Sequence, residues 1–426
     1  MPRKHFVIQR LHYCMAGKFK PISISLSPNV QKDDVVLAFK LLFKPWTWKK
    51  GLAVQKLEEE FKKYLGVKYA FSFNSGRSSL YAILKALKPQ GSDILLQAFT
   101  CNAVANPVLW AGLNPVYIDS ADNFNMDLEN LKSKIINHKS ILVQHTFGLP
   151  ANMDEIISIV RQNGMVLIED CAHALGAEFK GKKVGTFGDV AFFSFSRDKV
   201  ISCVYGGMAV TNDDELGKKL QALQQDFGQP GMFWIKQQLL HPILLWFIIL
   251  PLYNFLDLGK LFLIFSQWLQ VLSKAVSFKE KRGLKPDYFP KALPNALAEL
   301  ALNQFHKLGA FNAHRQKIAN FYYQELAGTQ FGLPAKENNI FLRFAITHPR
   351  AHEIIYDAWH KENMLLGDWY RSPVDPHDTK LEEMKYQKGM CPNAERLSKQ
   401  TLNLPTHINI SMEDAKRVVN FLRKYK

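Results

Sequence analysis

From residue 52 onward, short apolar runs alternate with longer amphipathic ones. In VQKLEEEFKKYLG (54–66), Val54, Leu57, Phe61 and Leu65 recur at helical spacing and Gly66 ends the pattern, which predicts a helix. YAFSFNSG (69–76) predicts a strand running into a turn, and SSLYAILKALK (78–88) a helix behind it. DILLQAF (93–99), NPVYID (114–119), SILVQHTFG (140–148), MVLIED (165–170), VAFFSF (190–195) and GGMAVT (206–211) read as further strands. MDEIISIVRQNG (153–164) reads as a helix between two of them. Strands alternating with helices imply an α/β fold with a mostly parallel central sheet covered by helices. In such sheets ligands gather at the carboxyl ends of the strands.

Residues 230–285 break this rhythm. Between Lys236 and Asp257 lie twenty residues without formal charge, interrupted by Pro242 and Pro251, and a second apolar run follows at 261–273. The chain resumes with helical patterns at 296–308 and 312–326 and closes with a mixed α/β region. This divides it into a basic N-terminal extension and arm (1–50), a large domain (51–229), an apolar insertion (230–285), a connecting helix (286–310) and a smaller C-terminal α/β domain (311–426).

Composition narrows the class. An apolar fraction of 47% and a charged fraction of 22% over 426 residues exclude a disordered, collagen-like or coiled-coil chain. The five cysteines (Cys14, Cys101, Cys171, Cys203, Cys391) are scattered and form no C-x-x-C pair, which argues against a disulfide scaffold and a cysteine-built zinc site. The chain reads as intracellular, and its first twenty residues carry no secretory signal pattern. Net charge is +16, with ten Lys/Arg against Asp33 and Asp34 in residues 1–50. The basic, aromatic stretch Leu37–Gly51 leans toward a lipid interface. Nucleic acid is disfavoured, because the basic segment has no recognisable docking motif.

Four strand-end loops carry complementary chemistry. Asn74-Ser75-Gly76-Arg77-Ser78-Ser79 joins a strand to a helix start, where backbone N–H groups and hydroxyls cradle an anion and Arg77 adds a charged fork. Asp170 closes MVLIED and could hold a ring nitrogen protonated. Lys199, just before Gly206-Gly207, could form a Schiff base if burial depresses its pKa. The Ser194 hydroxyl stands five residues before that lysine. Each alone has an ordinary counterpart: an N-cap turn, a capping aspartate, a surface lysine, an inward strand serine. Together they describe one ligand, pyridoxal 5′-phosphate (PLP), which needs a phosphate cradle, an acid for its pyridinium and a lysine for its aldehyde.

LEEEFKKYLGVKYAFSFNSGRSSL, GLNPVYID, HTFGLPANMDEI, IEDCAHALGAEFKGKKVGTFGDVAFFSFSRDKVISCVYGGMAVTND and AERLSKQTLNLP carry a resemblance to the DegT/DnrJ-type PLP-dependent nucleotide-sugar aminotransferases. The resemblance spans about residue 24 to 426, apart from 230–285. It implies the fold-type I aspartate aminotransferase architecture, with Lys199 as the cofactor-bearing lysine and proton carrier and Asp170 as partner of the pyridine nitrogen. His173 stands where the family usually has glutamine, and Gly76, Arg77, Ser78 and Ser194 would hold the phosphate. The ring-stacking aromatic falls within Phe99-Thr100-Cys101. Two positions depart from the pattern: Arg77 replaces a Thr or Ser, and the Asn-x-Arg element given by a second subunit is missing from Pro290–Asn295. Arg77 is therefore expected to supply the lost phosphate contact within the same chain.

A lysine at 199 favours amino transfer over the dehydration of related enzymes with histidine there. The implied activity is transfer of an amino group from glutamate to a keto-sugar, nucleotide- or lipid-linked, in surface polysaccharide or glycoconjugate synthesis by a homodimer. A sugar dehydratase or lyase and an inactive PLP-binding membrane scaffold are the alternatives. Both ends of the insertion return to one domain, so a single membrane span is impossible. A shallow interfacial hairpin with Trp234, Trp246, Trp268 and the Lys274–Lys285 cluster at the headgroups is expected, on the cytoplasmic face. The alternative is a helical excursion packed on the body. Trp369, Tyr370 and Arg371 are candidate substrate contacts in the small domain.

Overall fold

The computed structural model describes residues 20–88 and 92–425, so the basic positions Arg3, Lys4, Arg10 and Lys18 and the expected lack of a leader lie outside the described residues. The seven apolar runs all become strands of one sheet: β1 (Tyr69–Phe73), β2 (Asp93–Gln97), β3 (Asn114–Ile118), β4 (Ser140–Gln144), β5 (Val166–Asp170), β6 (Val190–Ser194) and β7 (Gly207–Thr211). Their order is β1-β7-β6-β5-β4-β2-β3. The ladders are parallel from β6 to β3, whereas β7 runs antiparallel to both neighbours.

Register places the chemistry. Asp170 ends β5 opposite Gln144 on one side and Phe192 on the other. Gly207 pairs with both Ser194 and Phe73, which brings the loop after β1 beside the end of β6. Both sheet faces are buried: Phe192 packs in one apolar cluster and its neighbour Phe193 in another. Strand alternation sends Glu169 to the face opposite Asp170. There its oxygens accept the N–H groups of Gly185, Phe187 and Gly188 at 2.7–2.8 Å, and His145 Nε2 lies 3.2 Å away. Glu169 is thus a bracket for the turn leading into β6.

The helices follow their patterns. α1 (Lys32–Leu42) and α2 (Ala53–Leu65) bury Ala38, Leu41, Leu57 and Phe61 in one core, and α2 stops on Gly66 in the left-handed region at φ 74°. α3 (Gly76–Leu87) follows β1, and α4 (Met153–Gln162) precedes β5. The N-terminal segment is therefore no free extension over its described part. Ile22–Ser23 pairs with Met364–Leu365, and Ile22 joins the C-terminal core of Ile318, Phe344, Ile354, Leu402 and Val418.

The insertion divides in two. α5 (Met232–Leu244) buries Trp234, Ile235 and Leu239 in the core around Phe61, and continues into a π-helical turn at Leu245–Ile249. Residues Met232–Ile249 are long and apolar enough to cross a membrane, yet 44% of that stretch is buried inside the protein. His241 Nε2 lies 3.0 Å from Ser27 Oγ and ties α5 to the body, whereas Gln238 Oε1 accepts Ser273 Oγ within the insertion. α6 (Leu258–Trp268) is different: Leu261, Ile264, Phe265 and Trp268 face solvent, Trp268 at 73% exposure. α7 (Asn295–Phe305) and α8 (Leu308–Leu326) then connect to the C-terminal region.

Candidate active site

A cavity of about 210 Å³ opens at the carboxyl ends of β1, β5 and β6. Gly76, Arg77, Asp170, His173, Ser194 and Lys199 all line it. Ser78 does not. Its Oγ donates to Asn74 Oδ1 at 2.7 Å, and its N–H is capped by Ser75 Oγ at 3.0 Å. Ser75 is the cavity-lining hydroxyl of that loop, and Ser78 is bound up in the cap behind it.

The cradle is tight. A Cβ at Gly76 would lie 2.9 Å from Ser194 Cβ, and one at Gly207 would lie 2.5 Å from the Gly76 backbone nitrogen. Only glycine allows the helix start to come this close to the ends of β6 and β7. The start of α3 at Gly76 and the Ser194 side chain thus meet at one edge of the cavity, where a helix N-terminus favours an anion.

Lys199 is half-buried, and its Nζ lies 4.9 Å from the Trp369 ring centroid. Desolvation is the main force on it and lowers its pKa to about 8, against the opposing pull of the Asp170 charge. About a tenth of it is therefore neutral amine at pH 7. Among the described residues the Asp170 carboxylate accepts one hydrogen bond, from Ala172 N to Oδ1 at 2.9 Å. Burial raises its pKa to about 6. A buried carboxylate with one donor and no ion pair among the described residues suits a protonated ring nitrogen, which would restore its charge.

His173 is held neutral, chiefly by burial and then by the positive charges of Lys199 and Arg343. Its Nδ1 accepts the Phe147 N–H at 3.3 Å, so Nε2 carries the proton, 3.4 Å from Tyr370 Oη. The imidazole stacks between Phe147 (5.9 Å) and Trp369 (5.5 Å). Trp369 and Tyr370 reach the cavity from the C-terminal region, whereas Arg371 does not line it.

Within Phe99-Thr100-Cys101, Cys101 lines the cavity and Phe99 does not; Phe99 packs on Phe124, Phe147 and Tyr370. Residues Pro290–Asn295 stay out of the cavity: Asn295 holds Thr47 O and Ala53 N, and Lys291 reaches Phe227 O. Arg77 is largely committed elsewhere, with Nε 2.7 Å from Glu280 Oε1 and Nη2 donating to Ala275 O at 3.0 Å. Sequence reading missed Gln144, Arg197, Asp198, Arg343 and Asp375. Arg343 sits 3.4 Å from the Trp369 ring centroid, and burial raises Asp375 to about 7. Arg197 and Asp198 stand beside Lys199 in the sequence and Gln144 ends β4, without a motif to mark them, and Arg343 and Asp375 reach the site because the chain folds back.

A poised lysine, an acid for a ring nitrogen and an anion cradle in one cavity are the donor set of a PLP enzyme. The chain belongs to the DegT/DnrJ/EryC1/StrS aminotransferase family, whose family model matches residues 30–238 and 289–423 and skips most of the insertion. It is 26% identical over 400 residues to UDP-N-acetyl-3-dehydro-alpha-D-glucosamine 3-aminotransferase of Acidithiobacillus ferrooxidans, covering 92% of this chain and 94% of that protein. It is also 26% identical to GDP-perosamine synthase of Caulobacter vibrioides, over 92% and 95% of the two chains. Among solved structures, Helicobacter pylori PseC, an aminotransferase of pseudaminic acid biosynthesis, superposes with a TM-score of 0.73 at 21% identity over 95% of this chain and 99% of that one. The fold is that of fold-type I PLP aminotransferases, and PLP is the cofactor.

Since only the neutral amine of Lys199 can attack the cofactor aldehyde, cofactor-free protein should capture PLP faster as pH rises, with an inflection near pH 8. Stopped-flow absorbance measures this, and a rate that stays flat from about pH 6 to 10 contradicts it.

Proposed function

We infer that this protein is a PLP-dependent aminotransferase that moves an amino group from glutamate to the keto carbon of a carrier-linked sugar, for surface polysaccharide or glycoconjugate synthesis. The observation that carries the reading is the placement of Lys199 and Asp170 in one buried cavity beside the Gly76–Ser194 cradle. The family and the sugar aminotransferases similar along nearly the whole chain support it.

When bound, PLP supplies an electron sink for the carbon that exchanges the amino group. The protein's residues do the rest. Ser75, Gly76 and Ser194 seat the phosphate. Asp170 keeps the ring nitrogen protonated, and His173 Nε2–H is a neutral donor beside the ring. Lys199 Nζ, with a pKa near 8, takes a proton from the substrate carbon and returns one at neutral pH, general acid–base work of about 10²–10⁴-fold. Trp369 and Tyr370 cover the cavity from the C-terminal side and keep water out.

Glutamate added to the purified protein should convert the bound cofactor to its amine form, lost as a change in visible absorbance, and a keto-sugar nucleotide should reverse it. Lys199→Ala should do neither. A wild-type spectrum indifferent to glutamate and other amino acids points to the non-catalytic scaffold instead.

The reading extends to place: a homodimer on the cytoplasmic face of a membrane, resting there through α6. Solvent-facing Leu261, Ile264, Phe265 and Trp268 on α6, with Phe247 and Leu256 before it, support lipid contact. The lysines at 274, 279, 281 and 285 and Arg282 follow them in the chain and add positive charge, with Lys279 and Lys281 paired to Asp287 and Asp378. Phe39, Phe43 and Trp46 are also exposed, on the basic segment whose helix α1 packs against α5. Vesicles containing phosphatidylserine should sediment the protein, and replacing the exposed Ile264, Phe265 and Trp268 with serine should release it. Equal recovery in the supernatant with and without these vesicles contradicts the membrane placement.

A further inference from the structure

The two arginines at the cradle end of the cavity differ in how their charge is met. Arg77 faces Glu280, so its charge is offset within the protein. Arg197 is 8% exposed and lines the same cavity, three residues beyond Ser194. Its Nη2 donates to Ser273 O at 2.8 Å and Ser273 Oγ at 2.6 Å, and its guanidinium lies 5.5 Å from the Tyr205 ring centroid. Its Nε has no hydrogen-bond partner, and no carboxylate forms an ion pair with it among the described residues. The adjacent Asp198 sits instead 4.0 Å from Arg343 Nη2. A buried guanidinium met only by neutral oxygens is costly unless an anion joins it.

Both arginines are held by the return leg of the insertion, Arg197 by Ser273 and Arg77 by Ala275 and Glu280, and Ala275 and Val276 line the cavity themselves. We propose that Arg197 is the in-chain cation that receives the phosphate monoester of the cofactor, with the segment Ser273–Glu280 as the strap that positions it. The proposal rests on the PLP reading above and goes beyond it. It shifts the free positive charge from Arg77, where the sequence suggests it, to Arg197. It also gives the insertion a role inside the active site besides any role at a membrane: the segment the family model skips completes the phosphate pocket from the same chain.

The test compares PLP with pyridoxal, which has the same ring and aldehyde but no phosphate. Binding to cofactor-free protein is titrated by absorbance for wild type, Arg197→Gln and Arg197→Lys. Arg197→Gln should weaken PLP by about ten- to a hundredfold and leave pyridoxal unchanged, since a hydrogen-bonded charge pair is lost only with the phosphate ligand. Arg197→Lys should recover part of the preference. Unchanged PLP affinity in Arg197→Gln overturns the proposal. So does an equal loss of both ligands in both variants, and so does normal PLP binding with a raised KM for the sugar substrate, which would assign Arg197 to a phosphoryl group of that substrate. Failure of wild type to bind PLP would instead strike the cofactor reading itself.

Discussion

The cavity is organised by two ionisable groups that the protein leaves short of partners, the buried Asp170 and the half-buried Lys199. Burial drives the Lys199 ammonium toward neutral amine and the Asp170 carboxylate toward neutral acid. Neither trend serves stability. Both suit a ligand that takes the amine as a covalent partner and offers the acid a cation at the far edge of its ring. The remaining architecture fixes where these groups stand: β5 carries Asp170 between β4 and β6, and the turn after β6 brings Lys199 round to face it. Glu169, one residue earlier, spends its charge on three backbone N–H groups and so holds the approach to β6 in place. Neighbouring acids on one strand thus have different tasks because alternation sends them to opposite faces.

The insertion joins two surfaces that are usually separate. Its first helix is part of the body, since Trp234, Ile235 and Leu239 share a core with Phe61. Its second helix turns apolar side chains outward, and its return leg forms a wall of the active site. A change at the exposed helix therefore has a short covalent route to the residues holding Arg77 and Arg197.

Much of this was legible in the chain. Most of the seven strands could be read because they are buried on both faces and so form nearly continuous apolar runs, although edge strand β3 leaves Val116 half-buried. The chemistry of Asp170, Lys199, Gly76 and Ser194 was legible because each stands at a strand end. The antiparallel direction of β7 was not, since a strand buried on both faces reads the same in either direction. Ser78 misled because a hydroxyl in the first helical turn can face a ligand or close the cap, and residue type does not separate the two. The apolar stretch at 237–256 could not distinguish core from lipid, and the structure divides it, burying Leu239, Leu245 and Ile249 and exposing Phe247, Leu252 and Leu256. Arg343, Arg197 and Trp369 gain meaning only from contacts across long stretches of sequence.

The central claim is that Lys199 bears the cofactor. Borohydride reduction of the protein as purified with PLP, followed by peptide mapping by mass spectrometry, tests it most directly. The account predicts one pyridoxyl-modified peptide, the one containing Ser196-Arg197-Asp198-Lys199. A modification confined to another lysine, or none in a preparation saturated with PLP, would contradict it.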